Sequence, residues 1–101
     1  MEHIKNKLGK DFDVQVVQDT DKISFLVLDG ENEIGHLVVS KKEKGEHLPV
    51  KDASINLSHR GTGLWKSLML LAKDFVEKMG FAGLILTGNS EDLRAINLGS
   101  E

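Results

Sequence analysis

The chain has 101 residues, 40% of them hydrophobic and 29% charged, which is the size and make-up of one globular domain, residues 1–101, rather than a disordered tail. Sixteen acidic side chains against thirteen Lys and Arg give a net charge of −3, with no broad basic footprint for nucleic acid. The absence of cysteine excludes disulfides, a thiolate nucleophile and thiolate metal sites.

Residues 2–8 read as a short amphipathic helix through Ile4 and Leu8. From Phe12 the period changes to two: FDVQVV alternates, is rich in valine, and reads as a strand ending in the turn-forming QDTDK. ISFLVLD follows as a second strand. DGEN supplies an Asp-Gly turn into a third, EIGHLVVSKK, so this pair is the clearest hairpin in the sequence. The cluster Lys41, Lys42 and Lys44 reads as a solvated hairpin end, since exposed lysines are the rule. After KGEHLP, which holds Pro49, the only proline, the segment VKDASINLS alternates imperfectly at Val50, Ala53, Ile55 and Leu57 and is taken as a fourth strand.

Beyond Gly63 the period changes again. Leu64, Leu68, Leu71, Phe75 and Met79 fall on one helical face, and Gly80 ends the helix. FAGLILTG reads as a short apolar strand, and SEDLRAINL opens a final helix with Ser90 as N-cap. The strands before and after the long helix should be parallel neighbours joined by a right-handed crossover. The expected fold is thus α/β: a mixed, mainly antiparallel sheet of about five strands, a long helix after strand four and a short C-terminal helix.

The stretch HRGTGLWKSL, residues 59–68, carries the chemistry. A strand that ends in a glycine turn and continues into a helix exposes unpaired backbone N–H groups at the positive end of the helix dipole. Gly61 and Gly63 have no side chains to block a close approach, and Arg60 adds charge beside them, which suits phosphate. Spacing alone also fits a purely conformational glycine turn, and the missing Gly-Lys-Ser/Thr ending counts against a P-loop.

INLSHRGTGLWKSLM resembles the acyl-CoA-binding motif of the GNAT superfamily of N-acetyltransferases: Arg or Gln, two residues, Gly, one residue, then Gly or Ala. Arg60, Gly63 and Trp65 occupy the three defined positions, and Ile55 stands where that family has an aliphatic residue on the preceding strand. LILT after the helix and EDLRAINLGSE near the end are similar in register to the family's later strand and last helix. Two positions there depart: Asp92 stands where asparagine is usual, and Gly99 where a tyrosine commonly acts as general acid. The resemblance implies a GNAT-like sheet and acetyl-CoA or CoA as substrate. It implies pyrophosphate on the amides of Leu57 to Leu64, that is Leu57, Arg60, Gly61, Thr62, Gly63 and Leu64, and pantetheine against the backbone near Ile55. It also implies acetyl transfer to a protein or small-molecule amine; a cytoplasmic location is expected by default, since no bilayer-length apolar run and no secretory signal core are read. Trp65 breaks the motif with a large side chain, and its ring must turn aside into a core or interface to leave the turn open.

Transfer to an amine needs a base, a donor for the thioester oxygen and an acid for the thiolate. The chain contains no tyrosine. Ser100 is the substitute nearest the departed position, and His36, His47, His59, Asp52 and Glu46 are the residues chemically able to act as base, so the catalytic set stays open. No metal-ligand spacing occurs. No apolar run approaches the roughly 20 residues that cross a bilayer, so no membrane partner is expected. The acceptor half of the family is reduced to QDTDK, so a homodimer, or a catalytically silent protein-binding module on the same fold, is the alternative.

Overall fold

A computed structural model describes residues 2–86. One sheet runs in chain order through six strands: β1 (Glu2–Lys5), β2 (Asp11–Gln18), β3 (Lys22–Asp29), β4 (Asn32–Ser40), β5 (His47–Ile55) and β6 (Gly83–Leu86). A 3-10 turn, Leu57–His59, and one helix, α1 (Leu64–Lys78), connect β5 to β6. Strands β1 to β5 pair antiparallel, and β6 lies parallel to β5.

This corrects the expected GNAT-like layout. The sheet has six strands rather than about five, and the helix follows strand five, not four; at 15 residues it is also of ordinary length. The difference begins at the N-terminus, where the predicted helix over residues 2–8 is instead β1 and a turn. Ile4 sits opposite Phe12 and joins the core, while Leu8, the other apolar residue of that supposed face, is 88% exposed. The cause is local: the Asn6 carboxamide oxygen accepts from the amides of Leu8 (2.9 Å) and Lys10 (3.1 Å), a side-chain-built turn that competes with helix. The predicted final helix from Ser90, with Asp92, Gly99 and Ser100, lies outside the described residues.

Alternation does the rest of the work. Phe12, Val14, Ile23, Phe25, Val27, Leu37, Val39, Leu48 and Val50 point to one face, and α1 covers it with Leu64, Trp65, Leu68, Ala72 and Val76. Each large apolar side chain so buried stabilises the fold by about 1.5–3 kcal/mol relative to exposure. Phe75 meets Phe25 edge-on, with ring centroids 5.5 Å apart. Ser67 in α1 donates from its hydroxyl to the Lys5 carbonyl at 2.8 Å, tying the helix to β1. At the other end the Lys44 ammonium donates to the Met79 carbonyl and lies over the Phe81 ring. That lysine, read from sequence as part of a merely solvated cluster, therefore satisfies an open carbonyl at the helix C-terminus.

Two β-bulges break the alternation. On β4, Val27 pairs with Gly35 and Leu28 with Glu33, so Ile34 is the extra residue. On β5, Val38 pairs with Asp52 and Val39 with Val50, so Lys51 is the extra residue. A bulge shifts every later side chain to the opposite face, which turns Glu33 and Asp52 away from the core. Between the two bulges, β4 and β5 approach closely: a Cβ on Gly35 would stand 2.6 Å from Ile55 Cγ1 and 3.0 Å from the Ser54 carbonyl oxygen. Gly35→Ala is expected to cost about 1–3 kcal/mol of stability, the range for overpacking. Urea denaturation checks it: a midpoint equal to the parent's would mean that the two strands can part there at no cost.

Candidate functional site

The turn between β5 and α1 is built from the end of the strand outward. Ile55 is buried, the Asn56 amide donates to the Ile34 carbonyl at 2.8 Å, and the chain enters the 3-10 turn with Leu57 exposed. Arg60 folds back so that its Nε donates to the Ile55 carbonyl at 3.1 Å, and the Thr62 hydroxyl donates to the His59 carbonyl at 2.7 Å. Arg60 thus braces the turn on which it sits. Gly61 and Gly63 both take left-handed backbone conformations, φ 73° and 79°, and Gly63 caps α1 without any side-chain hydrogen bond.

The outcome is a run of open donors. Among the described residues none accepts a hydrogen bond from the amides of Gly61, Thr62, Gly63, Leu64, Trp65 or Lys66. No acidic side chain stands in the first turn of α1. Arg60 and Lys66 lie in or next to the turn, and a further basic side chain arrives from elsewhere in the chain. The Lys7 amide donates to the Thr62 carbonyl at 2.7 Å, and the Lys7 side-chain stem lies against Gly63. Sequence reasoning missed Lys7 because it placed residues 2–8 in a helix; the Asn-x-x-Gly of Asn6–Gly9 was the signal for a turn.

Trp65, the residue that departs from the motif, points into the core and is 4% exposed. Its ring therefore does not fill the turn. The indole Nε1 is buried with no hydrogen-bond partner among the described residues, an uncommon state for that group.

Of the residues able to act as base, two come together. His36 and Asp52 lie on the sheet face opposite α1, and His36 Nε2 is 3.0 Å from Asp52 Oδ2. Glu33 Oε2 is 3.8 Å from Nδ1 of the same ring. Three others stand apart: His47 begins β5 beside Gly83, His59 meets the Phe12 ring edge-on at 5.6 Å, and the Glu46 carboxylate accepts from the Glu43 amide at 3.0 Å. Among the described residues no group of three His, Asp or Glu side chains could hold a metal ion, and no helix is long and apolar enough to cross a membrane.

The turn and the dyad are linked by β5. β6 accompanies β5 only from His47 to Val50, and no described strand lies beside Lys51–Ile55 on that edge. No family model, curated protein or solved structure matches the chain. The site is therefore read from its own geometry and from the motif resemblance.

Gly63→Ala tests how tightly the turn is specified. The left-handed φ costs an alanine about 1–2 kcal/mol, and its Cβ would stand 2.9 Å from Lys7 Cγ. In a double-mutant cycle read by thermal or urea unfolding, Lys7→Ala is expected to recover only the steric part of the loss. Full recovery would show that backbone conformation imposes nothing at Gly63.

Proposed function

We propose that the turn from Arg60 to Leu64 binds acetyl-CoA or CoA, and that the chain uses the thioester for acetyl transfer to an amine of a protein or small molecule. The observation that carries the reading is the unbroken series of amides from Gly61 to Lys66 that find no acceptor among the described residues, opened by two left-handed glycines and set at the positive end of α1. Such a series is a nest for oxyanions, and a pyrophosphate is the anion that matches its length. The resemblance of INLSHRGTGLWKSLM to the acyl-CoA motif supports the choice of ligand; it is drawn from those residues and not from the architecture of the sheet.

Two features make the geometry compatible with a long donor molecule. The edge of β5 from Lys51 to Ile55 leads directly into the turn, so amide groups of a pantetheine arm have backbone to bond to where β6 no longer accompanies the strand. Trp65 is turned into the core, which removes the steric objection that its size raises. The reading implies a cytoplasmic setting, where acyl-CoA thioesters are substrates.

Isothermal titration with acetyl-CoA and with CoA tests it. Binding is expected to weaken as salt rises, because phosphate contacts are screened. Lys7→Glu reverses a charge beside the nest and is expected to raise Kd by about tenfold or more, the scale of one charge-assisted hydrogen bond. A folded protein that gives no heat at millimolar acetyl-CoA overturns the proposal, and an unchanged Kd in Lys7→Glu overturns the placement at this turn.

A further inference from the structure

Strand β2 is longer than the strand beside it. β1 pairs only with Asp11 to Val14, so among the described residues no strand lies beside Gln15–Gln18 on that edge. The phase of the ladder says which backbone groups point outward there. The Asp19 amide donates to the Lys22 carbonyl at 2.9 Å and the Asn6 amide to the Lys10 carbonyl at 3.1 Å, and bonded pairs alternate along antiparallel strands. Both bonds give the same phase: Val17 bonds inward to β3, across from Ser24, while Val16 and Gln18 each aim an N–H and a C=O away from the sheet.

The core opens at the same place. On the helix face Phe12 and Val14 are buried, but Val16, next in that row, is half-buried, and so are Leu71, Phe75 and Met79 on the adjoining flank of α1. Two hollows that share Glu2 and Phe75 run along this margin, one against Val16 and the other against Leu71 and Met79. On the open face Val17 is 37% exposed. The edge is also unguarded: Gln15–Gln18 has no charge, no proline and no bulge, the devices that keep edge strands apart.

The ends of this slot limit what can fill it. A strand laid antiparallel to Gln15–Gln18 runs toward Glu2, where β1 begins, and must turn away there. β2 itself meets that condition, since it ends at Gln18 and its chain bends back at Asp19–Asp21 into β3. Pairing two β2 strands about a two-fold axis must set each residue opposite one that points to the same face, and must use Val16 and Gln18 as the bonded positions. Centring on Val17 does both. Val16 exchanges two hydrogen bonds with Gln18 of the second copy, Gln18 does the same with Val16 of that copy, and the two Val17 side chains meet on the open face. Centring on Val16 would set Gln18 against Val14, whose edge Glu2 already occupies. We propose that the chain forms a homodimer by this pairing of β2 with β2 of a second copy, joining two sheets into one and bringing the half-buried margins at Val16, Phe75 and Met79 toward each other on the helix face.

Sedimentation velocity of the whole chain over roughly 1 µM to 1 mM, the range in which weak pairs form, is expected to show monomer passing to dimer. Val17→Lys sets two ammonium groups against each other at the axis and is expected to raise the dissociation constant about tenfold or more. Its circular dichroism and the melting temperature of the diluted protein should stay parental, because the side chain faces water. Val17→Cys reads the register. The Cα atoms of a non-bonded antiparallel pair stand about 4.5 Å apart, within the roughly 4.4–6.8 Å that a disulfide spans. The chain has no cysteine of its own, so mild oxidation is expected to give a covalent dimer, and Ser24→Cys, one strand further in on the same face, to give little. Protein that stays monomeric throughout the range overturns the proposal. So does a dimer whose dissociation constant Val17→Lys leaves unchanged, and so does Val17→Cys that crosslinks no faster than Ser24→Cys. None of these outcomes bears on the acetyl-CoA titration, so the two readings stand or fall separately.

Discussion

The close contact between β4 and β5 at Gly35 and Ile55 is the constraint on which the rest of the molecule depends. No side chain fits there, so the two backbones lie together and the Asn56 amide reaches the Ile34 carbonyl. That fixes where β5 stops. From the stop, Arg60 returns to the Ile55 carbonyl, the glycine turn follows, and α1 starts at a defined distance from the sheet. Moving β5 by one residue against β4 would exchange its faces, placing Asp52 in the core and Ala53 in water. The helix position, the open amides and the His36 cluster are thus consequences of one strand register.

Helix α1 returns the constraint. Its buried stripe from Leu64 to Val76 rests on the face formed by the central strands, and Trp65 at the second helical position is part of that stripe. A glycine or alanine there would serve a ligand equally well but would leave a large volume of core unfilled. The indole is therefore a packing residue, and its Nε1, without a partner among the described residues, is the cost of burying so large a ring there. The amide of the same residue finds no acceptor among the described residues, which separates the backbone's availability from the side chain's burial.

Much of this was legible in the sequence where periodicity and turn chemistry agree. The Asp-Gly hairpin between β3 and β4, the onset of α1 at Leu64 and the parallel return of β6 all follow from a clear change of period or from Gly, Asp and Asn at turns. The N-terminus failed because Ile4 and Leu8 are four apart, a helical spacing, and the competing turn at Asn6 depends on a side-chain hydrogen bond that spacing does not encode. The bulges left a fainter trace. The imperfect alternation of Val50, Ala53 and Ile55 is the mark of Lys51 as an extra residue, and the adjacent inward pair Ile34 and Gly35 is the mark of the other. Read that way, both irregularities could have been found beforehand. Which acid each would deliver to which histidine could not, since that needs the pairing between strands.

The two sides of β5 differ in charge. On the helix side of β5 stand Arg60, Lys66 and Lys7, beside amides that find no acceptor among the described residues; on the open face Glu33 and Asp52 stand around His36. A strand is only one residue thick, so the two sets of charges meet across β5 without a layer of core between them. Net charge of −3 spread over the chain would not produce this; it is the bulges, by turning two carboxylates outward, that create the polarity across β5.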